Sequence, residues 1–300
     1  MKVLITGATG LIGRSLVKKL INKGFSINFL TTKKNREFKL NGCKGFYWNP
    51  SLGKIDLKAF KNISFIIHLA GYPISKPWTK RNKRVMMDSR ILSTQILYNS
   101  LVELQLKVDV FISASALAYY DDSIIKTYTE NDLVSNNNNF IQKLVSDWEA
   151  TSDLLETQSN NLVKLRIGLV LSNRGGILPK LLLPMKFCMG LVFGNGNQWQ
   201  SWIHLDDITN IILHSIENKL SGTFNAVSPN PVKQIEIVKY FASKINHPIL
   251  FFKIPNRIIS LLMGERSQLL LDSHKVSCRK ILKTGFKFNF PKINDINFIK

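Results

Sequence analysis

The sequence predicts an α/β fold, a doubly wound parallel sheet with helices on both faces, and three observations carry that expectation. Lys2 to Thr6 is a short β-branched, apolar run, followed at once by Gly7, Gly10 and Gly13 and then by Leu11, Ile12, Leu16, Val17, Leu20 and Ile21 at helical spacing. Further strand-like runs alternate with helical patterns as far as Leu171, in the order βαβαβαβαβ, which implies parallel strands joined by right-handed crossovers. Finally, 300 residues at 45% hydrophobic content are enough to bury a large core in one or two domains.

The first turn carries the most chemistry. Strand, glycine turn and helix in direct succession form the context that makes a glycine pattern a dinucleotide-site signal. Lacking side chains, Gly7 and Gly10 let the backbone turn tightly and approach a pyrophosphate, while the N–H groups and dipole of the following helix face the phosphates. Ser26 to Thr31 reads as the second strand, and the residues after it bear on the cofactor. An NAD site places Asp or Glu about 20 residues past the glycines, on the ribose 2′-hydroxyl. Here stand Thr32, Lys33, Lys34, Asn35 and Arg36: no carboxylate repels a 2′-phosphate, three cations suit one, and Thr32 offers a hydrogen bond. NADP(H) is therefore expected in preference to NAD(H).

Phe65 to Gly71 reads as a buried strand ending in a small-residue turn, against which a cofactor can lie. His68, inside that apolar run, reads as a packed strand histidine rather than a catalytic one. A helical pattern runs from Lys83 to Leu104. Val108 to Ser113 is a strand leading into Ser113-Ala-Ser-Ala-Leu-Ala-Tyr-Tyr120, whose hydroxyls and phenols at a strand end suit carbonyl chemistry. Phe140 to Glu156 reads as a helix, and Leu162 to Leu171 as a strand with Arg166 inside it.

After Ser172 the texture changes. Ile177 to Met189 is a proline-marked helical segment, Gly194 to Asp207 a loop dense in hydrogen-bonding groups and aromatics, and Gly222 to Val227 a further strand. We expect a nucleotide-binding domain over 1–172 with about 205–228, and a substrate-side domain over 173–204 and 229–300.

The net charge of +21 invites a nucleic-acid reading. The lysines are spread along a chain rich in Lys, Asn and Ile, residues with A/T-rich codons, so we read compositional drift and expect no nucleic-acid partner. Lys76-Pro-Trp-Thr-Lys-Arg-Asn-Lys-Arg84 is the exception, a basic cluster suited to the phosphate of a nucleotide or of nucleic acid. No apolar run is long enough to span a membrane, and the chain opens on a strand rather than a signal peptide. Cys43, Cys188 and Cys278 are far apart and odd in number, indicating neither a disulfide framework nor a zinc site. A cytoplasmic protein without a metal or membrane association is expected.

Ile5-Thr-Gly-Ala-Thr-Gly-Leu-Ile-Gly13, His68-Leu-Ala-Gly71, Asp88-Ser-Arg90, Ser113-Ala-Ser115 with Tyr119-Tyr120, Asp147-Trp-Glu149, Ser201-Trp-Ile-His-Leu-Asp-Asp207 and Pro229-Asn-Pro-Val232 occur in that order. Gly264-Glu265 and Gly285-Phe286-Lys-Phe288 follow. Together they resemble the YfcH-like epimerase family, an atypical branch of the extended short-chain dehydrogenase/reductases, over essentially the whole chain. The resemblance implies a Rossmann-type domain for a nicotinamide dinucleotide and a small α/β C-terminal domain closing over a small-molecule substrate. A homodimer is one assembly open to the chain, whose oligomeric state the sequence does not fix. By the same resemblance Gly7, Gly10, Leu11, Ile12 and Gly13 hold the pyrophosphate and Leu69, Ala70 and Gly71 the adenosine side; Thr9 in the glycine turn, and Thr32 and Lys33 at the end of the second strand, complete the residues expected to bind cofactor. Arg90 falls beside the cofactor, Ser115 matches the catalytic serine, and Trp202 and His204 belong to the substrate-side loop.

One departure stands out. Members of the superfamily ordinarily carry Tyr-x-x-x-Lys on the helix after the serine, the lysine lowering the tyrosine's pKa and the tyrosine moving the proton. Phe140 and Leu144 stand at those positions, and Lys143 is one residue off, roughly 100° around a helix. Tyr119 or Tyr120 is the candidate replacement, and Asp121 stands where the family turn has glycine. The function expected is an NADP(H)-dependent oxidoreductase or epimerase acting on a small hydroxyl or carbonyl compound, sugar-nucleotide-like substrates included. The alternative is a catalytically degenerate nicotinamide-nucleotide sensor or regulator.

Overall fold

The alternation read from the sequence is realised as a twisted sheet in the computed structural model, which describes residues 1–33, 42–133 and 139–297. In chain order the elements are β1 (Lys2–Thr6), α1 (Leu11–Asn22), β2 (Ser26–Thr31), β3 (Cys43–Asn49), β4 (Lys54–Ile55), β5 (Phe65–His68), α2 (Lys80–Glu103), β6 (Val108–Ala116), β7 (Ser123–Tyr128), α3 (Phe140–Asp153), β8 (Ser159–Ile167) and β9 (Leu169–Leu171). They continue with α4 (Leu178–Met185), β10 (Met189–Phe193), β11 (Trp199–Gln200), β12 (Trp202–His204), α5 (Leu205–Glu217), β13 (Gly222–Ala226), β14 (Val232–Lys233), α6 (Gln234–Ala242), β15 (Leu250–Ile254), α7 (Asn256–Met263) and, after two further short helical turns, β16 (His274–Val276).

Two compact units result. The first holds residues 1–119, 137–166 and 209–224, the second 120–136, 167–208 and 225–300. In the first, the sheet order is β13-β8-β6-β5-β1-β2-β3-β4, parallel from β6 through to β3. The order reverses at β1, so the crevice at the carboxyl ends of β1 and β5 is where such a sheet binds ligands. Val3, Leu4 and Ile5 are fully buried, which is why β1 reads as an unbroken apolar run rather than an alternating one. One side of the sheet packs Leu4, Phe46, Trp48, Ile66 and Phe111 with Leu97 and Leu101 of α2.

β3 has no counterpart in the sequence reading. Its core-facing residues alternate as Phe46 and Trp48 between partly exposed neighbours, so it is a half-buried strand, joined to β2 in parallel. Among the described residues the stretch between β2 and β5 therefore carries β3, β4 and short 3-10 turns. The helix expected over Phe140 to Glu156 holds as α3 plus a 3-10 turn at Leu154–Glu156, and α2 begins at Lys80, where the Thr79 hydroxyl accepts the Asn82 N–H at 3.2 Å.

The second unit has its own core of Leu171, Leu178, Val192, Trp202, Ile237 and Phe241. Two parallel pairs, β9 with β12 and β10 with β15, lie beside a small sheet ordered β14-β11-β16-β7. The helix expected over Ile177 to Met189 stops at Met185. Cys188 takes φ 61°, turning the chain into β10, whose partner β15 lies some sixty residues away, beyond the reach of local periodicity. Gly168 has a steric cause as well: a Cβ there would stand 2.4 Å from the Ser201 carbonyl oxygen, which accepts the Leu169 N–H at 2.9 Å. All three cysteines are free thiols, and no described helix is long and apolar enough to cross a membrane.

Asp207, wholly buried at the start of α5, accepts the N–H groups of Asn289 and Phe290 at 2.9 Å each. Removing a charged acceptor leaves two backbone donors without it. Asp207→Ala should therefore lower unfolding free energy by about 3 kcal/mol, read from urea titration.

Candidate functional site

The turn after β1 is built on close contacts that only glycine permits. Gly7 has φ 70°, and a Cβ on it would lie 2.8 Å from the Leu69 carbonyl carbon and 2.9 Å from the Ala70 nitrogen. A Cβ on Gly13 would lie 2.2 Å from the Gly7 oxygen, so Gly13 is what lets α1 pack against the turn. Gly10 differs: its φ is −74°, open to any residue, and a Cβ would meet only the Gly7 oxygen, at 3.3 Å. It is exposed and caps α1 with no side-chain hydrogen bond, and the first helical turn carries no acidic residue. The N–H groups of that turn point along a dipole that favours an anion, and no side chain occupies the place beside Gly10. That is the space a pyrophosphate needs.

A cavity of about 580 Å³ opens over this turn. Gly7, Thr9 and Gly10 line it at β1, Thr31 and Thr32 at the end of β2, and Leu69, Ala70 and Gly71 after β5. Seven of the residues expected to hold cofactor are thus brought together. Leu11, Ile12, Gly13, Lys33 and Arg90 stand outside the lining, and Lys34 and Arg36 lie outside the described residues. Sequence reading missed the wall formed by Trp48, Asn49, Pro50 and Ser51, which follows from the unread strand β3, while Asp88 and Ser89 of α2, part of a motif read without a role, also line the cavity. The alternation at Phe46 and Trp48 was the available signal.

Beneath the cavity floor sits His68, with no exposed surface. The Thr6 hydroxyl accepts the N–H groups of Leu69 and Ala70 at 3.1 Å each and lies 2.7 Å from His68 Nδ1, to which it gives its proton. Nδ1 is then an acceptor, and the ring carries its proton on Nε2, facing the Ser93 and Thr94 hydroxyls at 3.1 and 3.2 Å. Those hydroxyls spend their own protons on carbonyls of Ser89 and Arg90 and are free to accept. Burial first, and the Arg90 charge second, push the His68 pKa down to about 3. His68 is the packed, neutral strand histidine the sequence suggested, and it fixes the turn that walls the cavity.

Ser115, at the end of β6, gives its proton to Glu149 Oε1 at 2.5 Å. Arg166 Nε and Nη2 hold the two oxygens of Glu149 at 2.8 Å each. All three side chains are buried, and the Arg166 guanidinium lies over the Tyr119 ring, 3.4 Å from its centroid. Tyr119 is partly exposed. Phe140 packs edge-on against Trp78 at 5.1 Å, and Leu144 is buried beside Met86 and Val145.

The remaining candidates belong to the second unit. Tyr120 is buried, its hydroxyl donating to Asn225 Oδ1 at 2.7 Å and its ring stacked on Tyr128 at 4.9 Å. Trp202 is wholly buried, with Nε1 donating to the Asn230 carbonyl at 3.0 Å. His204 is buried against Phe290, and its Nδ1 accepts the Asp206 N–H at 3.1 Å.

The family model of the NAD dependent epimerase/dehydratase family matches residues 3–226. The chain belongs to this family. A domain of unknown function, DUF1731, matches residues 254–296. An epimerase family protein of Staphylococcus saprophyticus is 36% identical over 293 residues, 97% of this chain and 96% of its own. One of Staphylococcus haemolyticus is 34% identical over 97% of this chain and 95% of its own. Among solved structures, the human epimerase family protein SDR39U1 with NADPH superimposes with a TM-score of 0.88 at 27% identity, covering 98% of this chain and 97% of that one. UDP-glucuronic acid 4-epimerase from Bacillus cereus, solved with UDP-glucuronic acid and NAD, shares the fold, with a TM-score of 0.79 at 18% identity over 98% of this chain and 96% of that one. The motif resemblance and the matched epimerase family agree.

Two measurements follow from the site's buried charges. The unfolded chain protonates His68 below its ordinary pKa of 6.5, whereas the folded chain resists until about 3, so stability falls as pH drops between those values. From pH 6.5 to 5 the loss due to His68 should be roughly 1.5–2 kcal/mol in urea titrations, and His68→Gln should lack that component. Glu149→Gln takes the bidentate carboxylate from a buried guanidinium and should cost about 3–5 kcal/mol by the same measurement.

Proposed function

We propose that this member of the epimerase/dehydratase family is an NADP(H)-dependent oxidoreductase or epimerase acting on a small hydroxyl or carbonyl compound. The observation that carries the reading is the cavity over the glycine turn: it is bounded by an uncapped helix N-terminus at Gly10 and by Thr31 and Thr32 at the end of β2, where no carboxylate among the described residues stands to repel a 2′-phosphate. Lys33 follows directly, and the human relative was solved with NADPH.

A bound nicotinamide dinucleotide supplies hydride acceptance or donation. The chain supplies the rest. Gly7 and Gly10 give the backbone clearance, the α1 N–H groups hold the pyrophosphate, and Thr32 with Lys33 holds the 2′-phosphate. Ser115 fixes the substrate oxygen. With its proton committed to Glu149, it offers a lone pair to a substrate hydroxyl. Tyr119 is the better of the two tyrosines for moving a proton, since the Tyr120 hydroxyl is already given to Asn225 and its ring is buried. Arg166 places a fixed cation over the Tyr119 ring, where the superfamily's lysine is missing.

A second reading, a nucleotide sensor without turnover, is favoured by the Phe140 and Leu144 substitutions. Hydride transfer to any member of a carbonyl panel eliminates it.

Titration of the purified chain, followed by reduced-nicotinamide fluorescence, should give NADPH binding at least about tenfold tighter than NADH, a difference of about 1.4 kcal/mol. Equal affinities refute the 2′-phosphate assignment. On a substrate found by the panel, Ser115→Ala should lower kcat by about 10²-fold or more, and full turnover in that variant refutes its role.

A further inference from the structure

The β10–β15 pair in the second unit is finished differently along its two outer edges. The β10 edge is closed: Gln234 Oε1 accepts the Phe193 N–H at 3.4 Å, its Nε2 donates to the Leu191 carbonyl at 3.3 Å, and Gln198 Nε2 donates to the Phe193 carbonyl at 3.2 Å. Both glutamines are buried. The β15 edge is open. The Leu250 N–H reaches the Cys188 carbonyl at 2.9 Å and the Ile254 carbonyl accepts the Gly194 N–H at 2.8 Å, so residues 250, 252 and 254 turn their backbone groups to β10. Alternation along the strand turns those of Phe251 and Lys253 outward, where no described residue bonds them.

The faces of β15 are bare as well. Leu250, Phe251 and Phe252 are 65%, 47% and 46% exposed, and Met189, which stands beside Leu250 in register, is exposed too. Among the described residues β10 is the only element that β15 packs against at length. Edges are ordinarily guarded by charge, proline or a bulge, yet Lys253 is the single charge on this strand and its register with β10 is regular. An open apolar edge of this kind is a template for another strand.

We propose that a second copy of this chain covers the edge, β15 pairing antiparallel with its counterpart about a two-fold axis at Phe252. The outward groups set the register. Phe251 then stands opposite Lys253 of the second copy, and every outward N–H finds an outward carbonyl. Side chains match on both faces: Phe252 meets its twin, Leu250 meets Ile254, and Lys253 lies over the Phe251 ring. An axis at Lys253 would set the two ammonium groups opposite each other, and one at Phe251 would set Lys253 against Ile249, outside the strand. A lipid surface would take the apolar side chains but leave the outward backbone groups without partners. Leu250, Phe251, Phe252 and Met189 expose roughly 400 Å² per copy, and with the backbone ladder the interface reaches roughly 1,000 Å² in total, the low end of specific contacts. The pairing does not depend on the proposed function.

Sedimentation of the full-length chain should show a monomer–dimer equilibrium with half-association at roughly 10–100 µM. Lys253→Pro removes an outward N–H where an edge strand tolerates proline, and Phe252→Lys sets like charges opposite each other. Each should weaken association about tenfold or more while the unfolding temperature stays near that of the parent. Cys188→Ser removes the exposed native thiol. In that background Phe252→Cys should form an intermolecular disulfide readily, its Cα atoms standing about 4.5 Å apart, whereas Leu250→Cys, offset by roughly 13 Å, should not. A chain that stays monomeric at roughly 0.5 mM overturns the proposal, and phosphatidylglycerol vesicles that then bind it assign the face to a membrane instead. A dimer that survives both Lys253→Pro and Phe252→Lys overturns it as well, as does cross-linking through Leu250→Cys that matches Phe252→Cys.

Discussion

The cofactor-facing half of the first unit depends on how closely two backbone turns approach. Gly7 lies so near Leu69 and Ala70 that a single Cβ would collide with three of their backbone atoms. The same Gly7 supplies the carbonyl against which Gly13 brings α1. What keeps the turns together is a hydroxyl, not an apolar contact: Thr6 accepts the N–H groups of both Leu69 and Ala70 and passes its own proton to His68. A neutral imidazole is required, because a protonated Nδ1 could no longer accept. The chain secures it by burial and by the nearby Arg90 charge. An apolar strand, a glycine turn and a buried strand histidine are thus one device for shaping a cavity wall.

Two arginines, Arg166 buried and Arg90 half-buried, stand in contrasting states. Arg166 is neutralised by Glu149 and so fixes the position of Ser115 and the environment of Tyr119. A buried pair of this kind is weak evidence for net stability but strong evidence for geometry, because breaking either half leaves a charge with no counterpart. Arg90 lacks such a partner and carries its charge beside the cavity wall.

Much of this was legible along the chain. β1, the glycine turn, α1, β5, α2 and α3 follow from local apolar spacing, and the cavity's glycine and threonine walls follow from them. β3 was not read, since its alternation is short and its partner β2 lies across a stretch with no local signal; the Trp48 wall was lost with it. The Ser115–Glu149–Arg166 cluster joins residues 34 and 17 positions apart, and no spacing rule connects them. Trp202 and His204, polar-looking in a loop rich in hydrogen-bonding groups, are buried in the second unit because β12 pairs with β9, a tertiary contact that overrides local texture.

The loss of the Tyr-x-x-x-Lys pair is also a matter of packing. Leu144 is buried among Met86, Ile141 and Val145, so a lysine there would place an ammonium in an apolar cluster. Phe140 completes an aromatic contact with Trp78, and the Lys83 ammonium lies 5.0 Å over its ring. These side chains satisfy one another, and restoring the missing pair by two substitutions would break that cluster before it restored a proton route. Ser115, held through Glu149, and Tyr119, under the Arg166 guanidinium, belong to a cluster built independently of Phe140 and Leu144.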